Sequence, residues 1–329
     1  MRGGEDAFDW TFGLVTPMPT ACFFFSCFFF FLYACSQVGC EAVVSVKAMA
    51  ASSRGHSSCF PVMSFLHVPG KMSQPLWLMM GTACLLQTAH DTAALGRLFL
   101  LSAKHTFAPW HFIADPARLK IPEAYRKTRF VVVHLYLPDS EGRAIATSFV
   151  ELRLVALHPS ADVALLALKP PAASPSGKIE PDAHVEEFRR LAETAGGGLT
   201  LSAVDPAVGD SCLVSGYRGV GSLGLLDTAD PDLLQRLSAA QREELLAKLK
   251  CVEGQQTATT AKVEVLHTSG MCRATEGRCY HGMSGAPVLV NEHTCGGILY
   301  GKHTEQTEYL GYTPARSFDE WVWRAVGAG

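Results

Sequence analysis

The chain has 329 residues, 48% hydrophobic and 18% charged, and its 28 Lys and Arg against 31 Asp and Glu give a net charge of −3. That balance excludes a disordered or fibrous chain, and with no basic block it argues against a nucleic-acid partner. At roughly 100–200 residues per domain, the length suits one large domain or two small ones.

Residues 1–73 read as a leader or targeting segment. From Trp10 to Cys40 there is no charged side chain, and Cys22 to Cys35 reads CFFFSCFFFFLYAC. Such a stretch can enter or cross a membrane. Its flank is wrong for a secretory signal, since Arg2 is outnumbered by Glu5, Asp6 and Asp9, although Ala34-Cys35-Ser36 has a small-x-small cleavage pattern. A second reading is a translated leader with the true start at Met49 or later. A third is a transit-type segment from Met49, where basic residues and serines occur without an acid. All three stay open, and a membrane partner is expected only if Cys22–Cys35 is translated and retained.

Short runs rich in branched and aromatic residues follow: LWLMM, TACLL, LFLLSA, FVVVHLYL, SFVELRLVAL and DVALLAL. Broken by Gly, Pro, Asp and Ser, they predict an all-β first barrel over 74–170. KPPAASPSGK, Lys169 to Lys178, reads as a linker, and the helix after it takes Asp182 as N-cap with Val185, Phe188, Leu191 and Ala192 on one face. Linker and helix occupy 171–198. A second β set over 199–329 comprises LTLSAV, SCLVSGY, AKVEVLH, APVLV, GGILYG and EYLGYT. Within it, 230–250 reads as a helical insertion, with Pro231 near its start and a Ser238-x-x-Gln241 capping box. A terminal helix over 318–326 is predicted from a Ser317-x-x-Glu320 box, with Trp321 and Trp323 set to lie on a barrel.

Of the 11 cysteines five precede residue 60, and Cys84, Cys212, Cys251, Cys272, Cys279 and Cys295 remain, too few for a disulfide framework. Cys272, Cys279, His281, His293 and Cys295 match no paired ligand spacing, so neither a metal nor another cofactor is expected.

Three stretches carry chemistry. Tyr280 to Val288 contains Gly-x-Ser-Gly-x-Pro, where glycines around Ser284 allow a turn that exposes a hydroxyl and aims amide N–H groups at an oxyanion. Leu100 to His105 is a strand ending in a histidine, and in Leu157 to Leu166 Asp162 introduces an apolar run. Each alone is weak; in the order His, Asp, Ser, split between the two β sets, they are specific. With these residues the sequence resembles the trypsin/chymotrypsin-like serine proteases. SAKHTF is similar to the family's histidine segment, HPSADVALLAL to its aspartate segment and GMSGAPV to its nucleophile loop. VGDSCLVSGYRG and YTPARSFDEWV extend the resemblance to about residues 74–326.

The resemblance implies two six-stranded antiparallel barrels with the site between them. It makes His105 the general base, Asp162 its orienting carboxylate, Ser284 the nucleophile, and the N–H groups of Gly282 and Ser284 the oxyanion hole. The implied activity is endopeptidase hydrolysis of protein or peptide substrates through an acyl-enzyme. The alternative is a protease-fold binding protein with little or no turnover. Arg278, six residues before the nucleophile, is placed at the base of the first substrate pocket, favouring an acidic side chain. His281, His303, Tyr300 and Gly301 are further candidate substrate contacts.

Three positions depart from the family pattern. Thr106 follows the histidine where digestive members carry a cysteine, which favours a reducing compartment, cytosol or mitochondrion; a real hydrophobic N-terminus would instead imply a secreted or membrane-anchored protein. Leu299 precedes Tyr300 where the family has a serine, so a hydrogen bond to Asp162 is missing or the strand is shifted. Met283 replaces the aspartate before the nucleophile and cannot pair with a new N-terminus, so packing and backbone bonds are expected to hold the oxyanion loop.

Overall fold

The structure, a computed structural model, describes residues 56–87, 98–113, 119, 121–169, 182–219, 254–266, 269–302, 306 and 308–328. The Cys22–Cys35 stretch, the KPPAASPSGK linker from its second residue on, the 230–250 insertion and His303 lie outside the described residues. Among the described residues no helix is long and apolar enough to cross a membrane.

Six strands, β1 (Cys59–Leu66), β2 (Leu76–Leu86), β3 (Phe99–Ser102), β4 (Val131–Pro138), β5 (Ala144–Leu157) and β6 (Ala164–Leu168), close an antiparallel barrel in the order β1-β2-β3-β6-β5-β4. After helix α1 (Ala183–Thr194) and the short strand β7 (Thr200–Leu201) come β8 (Ser211–Tyr217), β9 (Gln256–Leu266), β10 (Gly270–Glu276), β11 (Pro287–Asn291), β12 (Thr294–Lys302) and β13 (Tyr309–Pro314). These run β11-β8-β9-β10-β13-β12, and the β11–β12 pairing closes a second six-stranded barrel, with β7 parallel on the outside of β12. Counted within each barrel, the strand order is the same, although the sequence carries no internal repeat.

Where the barrels meet, strands are buried on both faces. On β1, Phe60 and Val62 point into the first barrel while Cys59 faces the core between the barrels; on β3, Leu100 and Leu101 divide in the same way. This is why DVALLAL reads as a continuous apolar run and not an alternating one: Leu166 fills the barrel, while Val163 and Leu165 pack against the neighbouring one. Helix α1 starts where Asp182 accepts a hydrogen bond from the His184 N–H at 2.9 Å, and its Phe188 lies edge-on to Phe60 with ring centroids 5.2 Å apart. Helix α2 (Asp319–Ala328) follows Phe318, which with Val322 and Val326 enters the inter-barrel core.

Several elements differ from the sequence expectation. The first strand begins at Cys59, inside the segment read as a leader. Its Pro61 is tolerated because β1 has only β2 as a neighbour there, pairing with β4 starting one residue later at Val62. LWLMM and TACLL form one strand, β2, running through Gly81. LTLSAV supplies only Thr200–Leu201, and Val204 is exposed. The Ser317 capping box does not form, since that hydroxyl donates to the Pro314 carbonyl and Glu320 pairs with Arg324. Of the two tryptophans, Trp321 packs on the core and Trp323 faces out, its indole N–H donating to Asp319.

Gly81 shows why β2 carries a glycine in mid-strand. A Cβ there would lie 2.8 Å from the Ser284 carbonyl oxygen and 2.9 Å from Thr106 Oγ1, so a side chain would push the second barrel's loop off the first barrel. Gly81→Ala is expected to destabilise the fold by about 1–3 kcal/mol through overpacking, read as a lower urea midpoint with an unchanged m-value.

Candidate active site

His105 sits on a single 3₁₀ turn, Lys104–Thr106, that begins two residues after β3 ends, and its side chain is fully buried. Asp162 ends the turn between β5 and β6. Its Oδ1 accepts the His105 backbone N–H at 2.9 Å and its Oδ2 lies 2.6 Å from His105 Nδ1. Two contacts fix both the position and the plane of the imidazole, and the Nδ1–Oδ2 contact puts the proton of neutral His105 on Nδ1, leaving Nε2 as a base.

The turn that presents Asp162 is built around His158. Its Nδ1 accepts the N–H groups of Ala161 at 2.8 Å and Ser160 at 3.3 Å, and its own N–H closes the turn on the Val163 carbonyl at 2.9 Å. Lys104 Nζ donates to the His158 carbonyl at 2.9 Å, tying the aspartate turn to the residue beside His105. Trp321 of α2 backs the imidazole edge-on at 5.0 Å between centroids. Burial and the Lys104 charge hold the His158 imidazole below its ordinary pKa.

Ser284 is partly exposed on the loop between β10 and β11, and backbone contacts tie that loop to β2. Its carbonyl accepts the Thr82 N–H at 2.7 Å, and the next residue, Gly285, is pressed so close that a Cβ would meet Thr82 O at 2.1 Å and Ala103 N at 2.8 Å. At φ of 90° that contact requires glycine. Thr82 is the tie between the barrels. Its Oγ1 donates to the Gly282 carbonyl and accepts the Tyr217 N–H, each at 2.9 Å, and its carbonyl accepts Ser102 Oγ at 2.6 Å.

The amides of Gly282 and Ser284 donate to no backbone carbonyl among the described residues, while the peptide planes that carry them are fixed from the other side. The His281 carbonyl, in the plane of the Gly282 N–H, accepts the Gly219 N–H at 2.6 Å; the Met283 carbonyl, in the plane of the Ser284 N–H, accepts the Ala286 N–H at 2.8 Å. Gly282, at φ of 92°, has no room for a Cβ, which would fall 2.5 Å from Gly219 N. Met283 is fully buried in the second barrel's core and its Sδ accepts the Tyr280 N–H at 3.3 Å. Two fixed N–H groups beside a serine can stabilise an oxyanion without reorganising.

The expected substrate contacts are less tightly grouped. Arg278 is exposed, with its carbonyl accepting from Thr259 Oγ1 at 2.7 Å, so it stands at the surface and not on a closed floor. His281 is exposed. Leu299 is fully buried in the second barrel, its N–H and carbonyl both bonded to the nucleophile loop, and it makes no polar contact with Asp162. Tyr300 comes next, at an irregularity in the β12–β13 ladder, with its ring packed over Gly311. Burial raises the Tyr300 phenol pKa, a Ser269 hydrogen bond opposes this, and the Asp162 charge adds to the rise. Gly301 has open space where a side chain would stand. Among the described residues no three His, Cys, Asp or Glu are grouped to hold a metal ion. Thr82, Gly81, Gly219 and His158 carry the site's geometry; His158 and Gly219 lie in segments that carry the resemblance, but nothing in the sequence marks the role of any of the four.

No protein-family model matches the chain, and no curated protein matches its sequence. Among solved structures it is similar to the Rv3671c protease of M. tuberculosis in its active form, at 16% identity and a TM-score of 0.43 over 86% of each chain. The inactive form of that protease matches at 15% identity and a TM-score of 0.40, over 85% of this chain and 91% of that one. The serine endoprotease of Yersinia pestis matches at 12% identity and a TM-score of 0.41, over 85% of this chain and 66% of that one. The strand order of the two closed barrels is that of the trypsin-like double-barrel fold.

The His158 turn has a pH consequence. As an acceptor of two N–H groups it must be neutral, and its folded pKa lies below the unfolded value of about 6.5. Below about pH 6.5 the unfolded chain therefore binds the proton first, so stability is full above that pH and is lost as pH falls through the folded value. His111, His134 and His281, also lowered, act in the same direction. Urea midpoints should fall from pH 7.5 to 5.5, and His158→Asn should make that dependence shallower. A midpoint independent of pH in the unsubstituted chain would count against the turn as described.

Proposed function

We propose that the chain is a serine-type endopeptidase that hydrolyses peptide bonds through an acyl-enzyme. The observation that carries this reading is the contact of His105 with the buried Asp162 carboxylate, together with the Gly282 and Ser284 amides, whose peptide planes are fixed and which donate to no backbone carbonyl among the described residues. In the proposed cycle His105 Nε2 takes the proton of Ser284 Oγ as the oxygen attacks the substrate carbonyl. The resulting oxyanion is bound by the Gly282 and Ser284 N–H groups, and Asp162 balances the imidazolium. His105 then gives its proton to the leaving amine, and water repeats the sequence on the ester. The substrates are proteins or peptides, and no step needs a metal or organic group.

The substrate side of this proposal rests on Tyr300 and Gly301 at the end of β12, with the exposed His281 and Arg278 assigned to its rim. The rim side chains are basic or imidazole, which favours acidic residues before the scissile bond. The second reading, a binding protein with little turnover, is favoured by one observation: Leu299, where the resemblance implies a serine, is buried and makes no polar contact with Asp162.

A fluorophosphonate probe separates the readings, because covalent labelling needs an activated hydroxyl. Labelling at Ser284, abolished by Ser284→Ala and His105→Ala, is expected; a folded chain that stays unlabelled is the binding protein. The single substitutions should each lower turnover on the order of 10^3–10^6-fold, and the double substitution no further. Thr82→Val tests the tie between the barrels. Losing the hydroxyl frees the Gly282 carbonyl, so kcat should fall on the order of 10-fold with KM little changed. An unaltered kcat would remove Thr82 from the machinery.

A further inference from the structure

The backbone that passes over the oxyanion loop carries a guanidinium with no anion beside it. Residues 217–219 cross Gly282 at contact distance: the Gly219 N–H donates to the His281 carbonyl at 2.6 Å, and a Cβ on Gly282 would lie 2.8 Å from the Tyr217 carbonyl oxygen. Between those two contacts stands Arg218. Its N–H donates to the Gln255 carbonyl at 2.9 Å and its carbonyl accepts the Gly254 N–H at 3.1 Å. Residues 254–256 are bonded in turn to the first barrel's β4–β5 hairpin, where the Ala144 N–H donates to the Gly254 carbonyl and the Gln256 N–H to the Gly142 carbonyl, each at 3.0 Å. The main chain at Arg218 is therefore fixed to the oxyanion loop and to both barrels.

The partly buried side chain lies over the oxyanion loop, its guanidinium carbon 3.9 Å from the centre of the Tyr280 ring. Stacking on a ring occupies the face of a guanidinium and leaves its N–H edge for another partner. Among the described residues no carboxylate pairs with Arg218, and its Nε is buried without an acceptor. The acids of the neighbouring hairpin are engaged elsewhere: Asp139 accepts the Glu141 and Arg143 N–H groups, each at 2.8 Å, and Glu141 pairs with the Arg143 guanidinium at 2.7 Å. A fixed, stacked guanidinium with an unmet donor is suited to one ligand chemistry, a carboxylate.

We propose that Arg218 is a specificity-determining residue that binds a substrate carboxylate on the leaving-group side of the scissile bond. The proposal rests on the peptidase reading, which puts the scissile carbonyl at the Gly282 and Ser284 amides. The nucleophile loop has two flanks. After Ser284 it is bonded to β12, with the Gly285 N–H on the Leu299 carbonyl and the Leu299 N–H on the Ala286 carbonyl, and β12 runs on into Tyr300 and Gly301. Before Ser284 it is bonded to Gly219, beside Arg218. A peptide whose acyl half lies along Tyr300 and Gly301 carries its leaving half toward Arg218. The preference assigned to Arg278 and His281 concerns residues before the bond, so the two are read at different positions. The carboxylate is an acidic side chain or the terminal carboxylate of a peptide cut near its end; both present the same two oxygens to the guanidinium fork.

The test digests two peptide libraries with the full chain, one with free and one with amidated C-termini, and maps the cuts by mass spectrometry. Asp and Glu at the first or second position after the cut, on the order of 10-fold above Asn and Gln in the amidated library, identify a side chain as the source. Cuts confined to the last two bonds of the free library identify the terminal carboxylate. Arg218→Gln should abolish the enrichment, and Arg218→Lys, which keeps the charge and loses the planar fork, should lower it by about threefold. Cuts with neither preference, or an enrichment undiminished in whichever variant folds, overturn the proposal and leave the peptidase reading standing. A chain that cuts neither library overturns both. The preference is measured first on the unsubstituted chain, so that arm does not depend on the folding of a variant.

Discussion

The polar contacts of Thr82 are what the rest of the site depends on. A fully buried threonine on the first barrel's β2 uses its N–H, hydroxyl and carbonyl on Ser284, Gly282, Tyr217 and Ser102. Without those partners each group would be a desolvated polar atom, so the two barrels have one relative position that satisfies them all. That position brings the loop carrying Ser284 to the strand that leads into His105. A candidate site divided between two barrels is thus held by buried hydrogen bonds, and the apolar core beneath it, from Phe99 to Val322, supplies the adhesion.

The glycines have the complementary role. Gly81, Gly282 and Gly285 leave no space for a Cβ because a neighbouring backbone occupies it, and the last two also take a positive φ. Each marks a place where one chain segment touches another at backbone distance. Met283 fits the same scheme: its thioether anchors the loop in the second barrel's core, which fixes the Gly282 and Ser284 amides through packing and short-range hydrogen bonds.

Both barrels and the segments that carry His105, Asp162 and Ser284 leave local marks in the sequence, branched runs of strand length, an aspartate ahead of an apolar run and a glycine-flanked serine, and the structure brings His105 and Asp162 into contact. The helix with Asp182 at its N-cap was legible for the same reason. What escaped depends on tertiary context. Strand β1 contains Pro61 and follows a leader-like stretch, and only its single-neighbour position makes the proline acceptable. Strand β10 begins with Gly270 lying under the Tyr312 ring and bears Arg273 and Glu276, a weak pattern for a strand. Ser317 found the Pro314 carbonyl before it could cap a helix. Thr82 and His158 have no sequence signature, since their roles come from partners 20 to 200 residues away or from the direction of one ring nitrogen.

Asp162 is held in place without a polar contact from Leu299, which is buried in the second barrel. Asp162 is already positioned by two contacts with His105 and by a turn organised around His158, with Lys104 and Trp321 behind it. Tyr300, which follows Leu299, closes over Gly311, and burial raises its phenol pKa. The contacts between His105 and Asp162 fix the imidazole and the carboxylate, while the second barrel brings up the loop that carries Ser284 and the Gly282 and Ser284 amides.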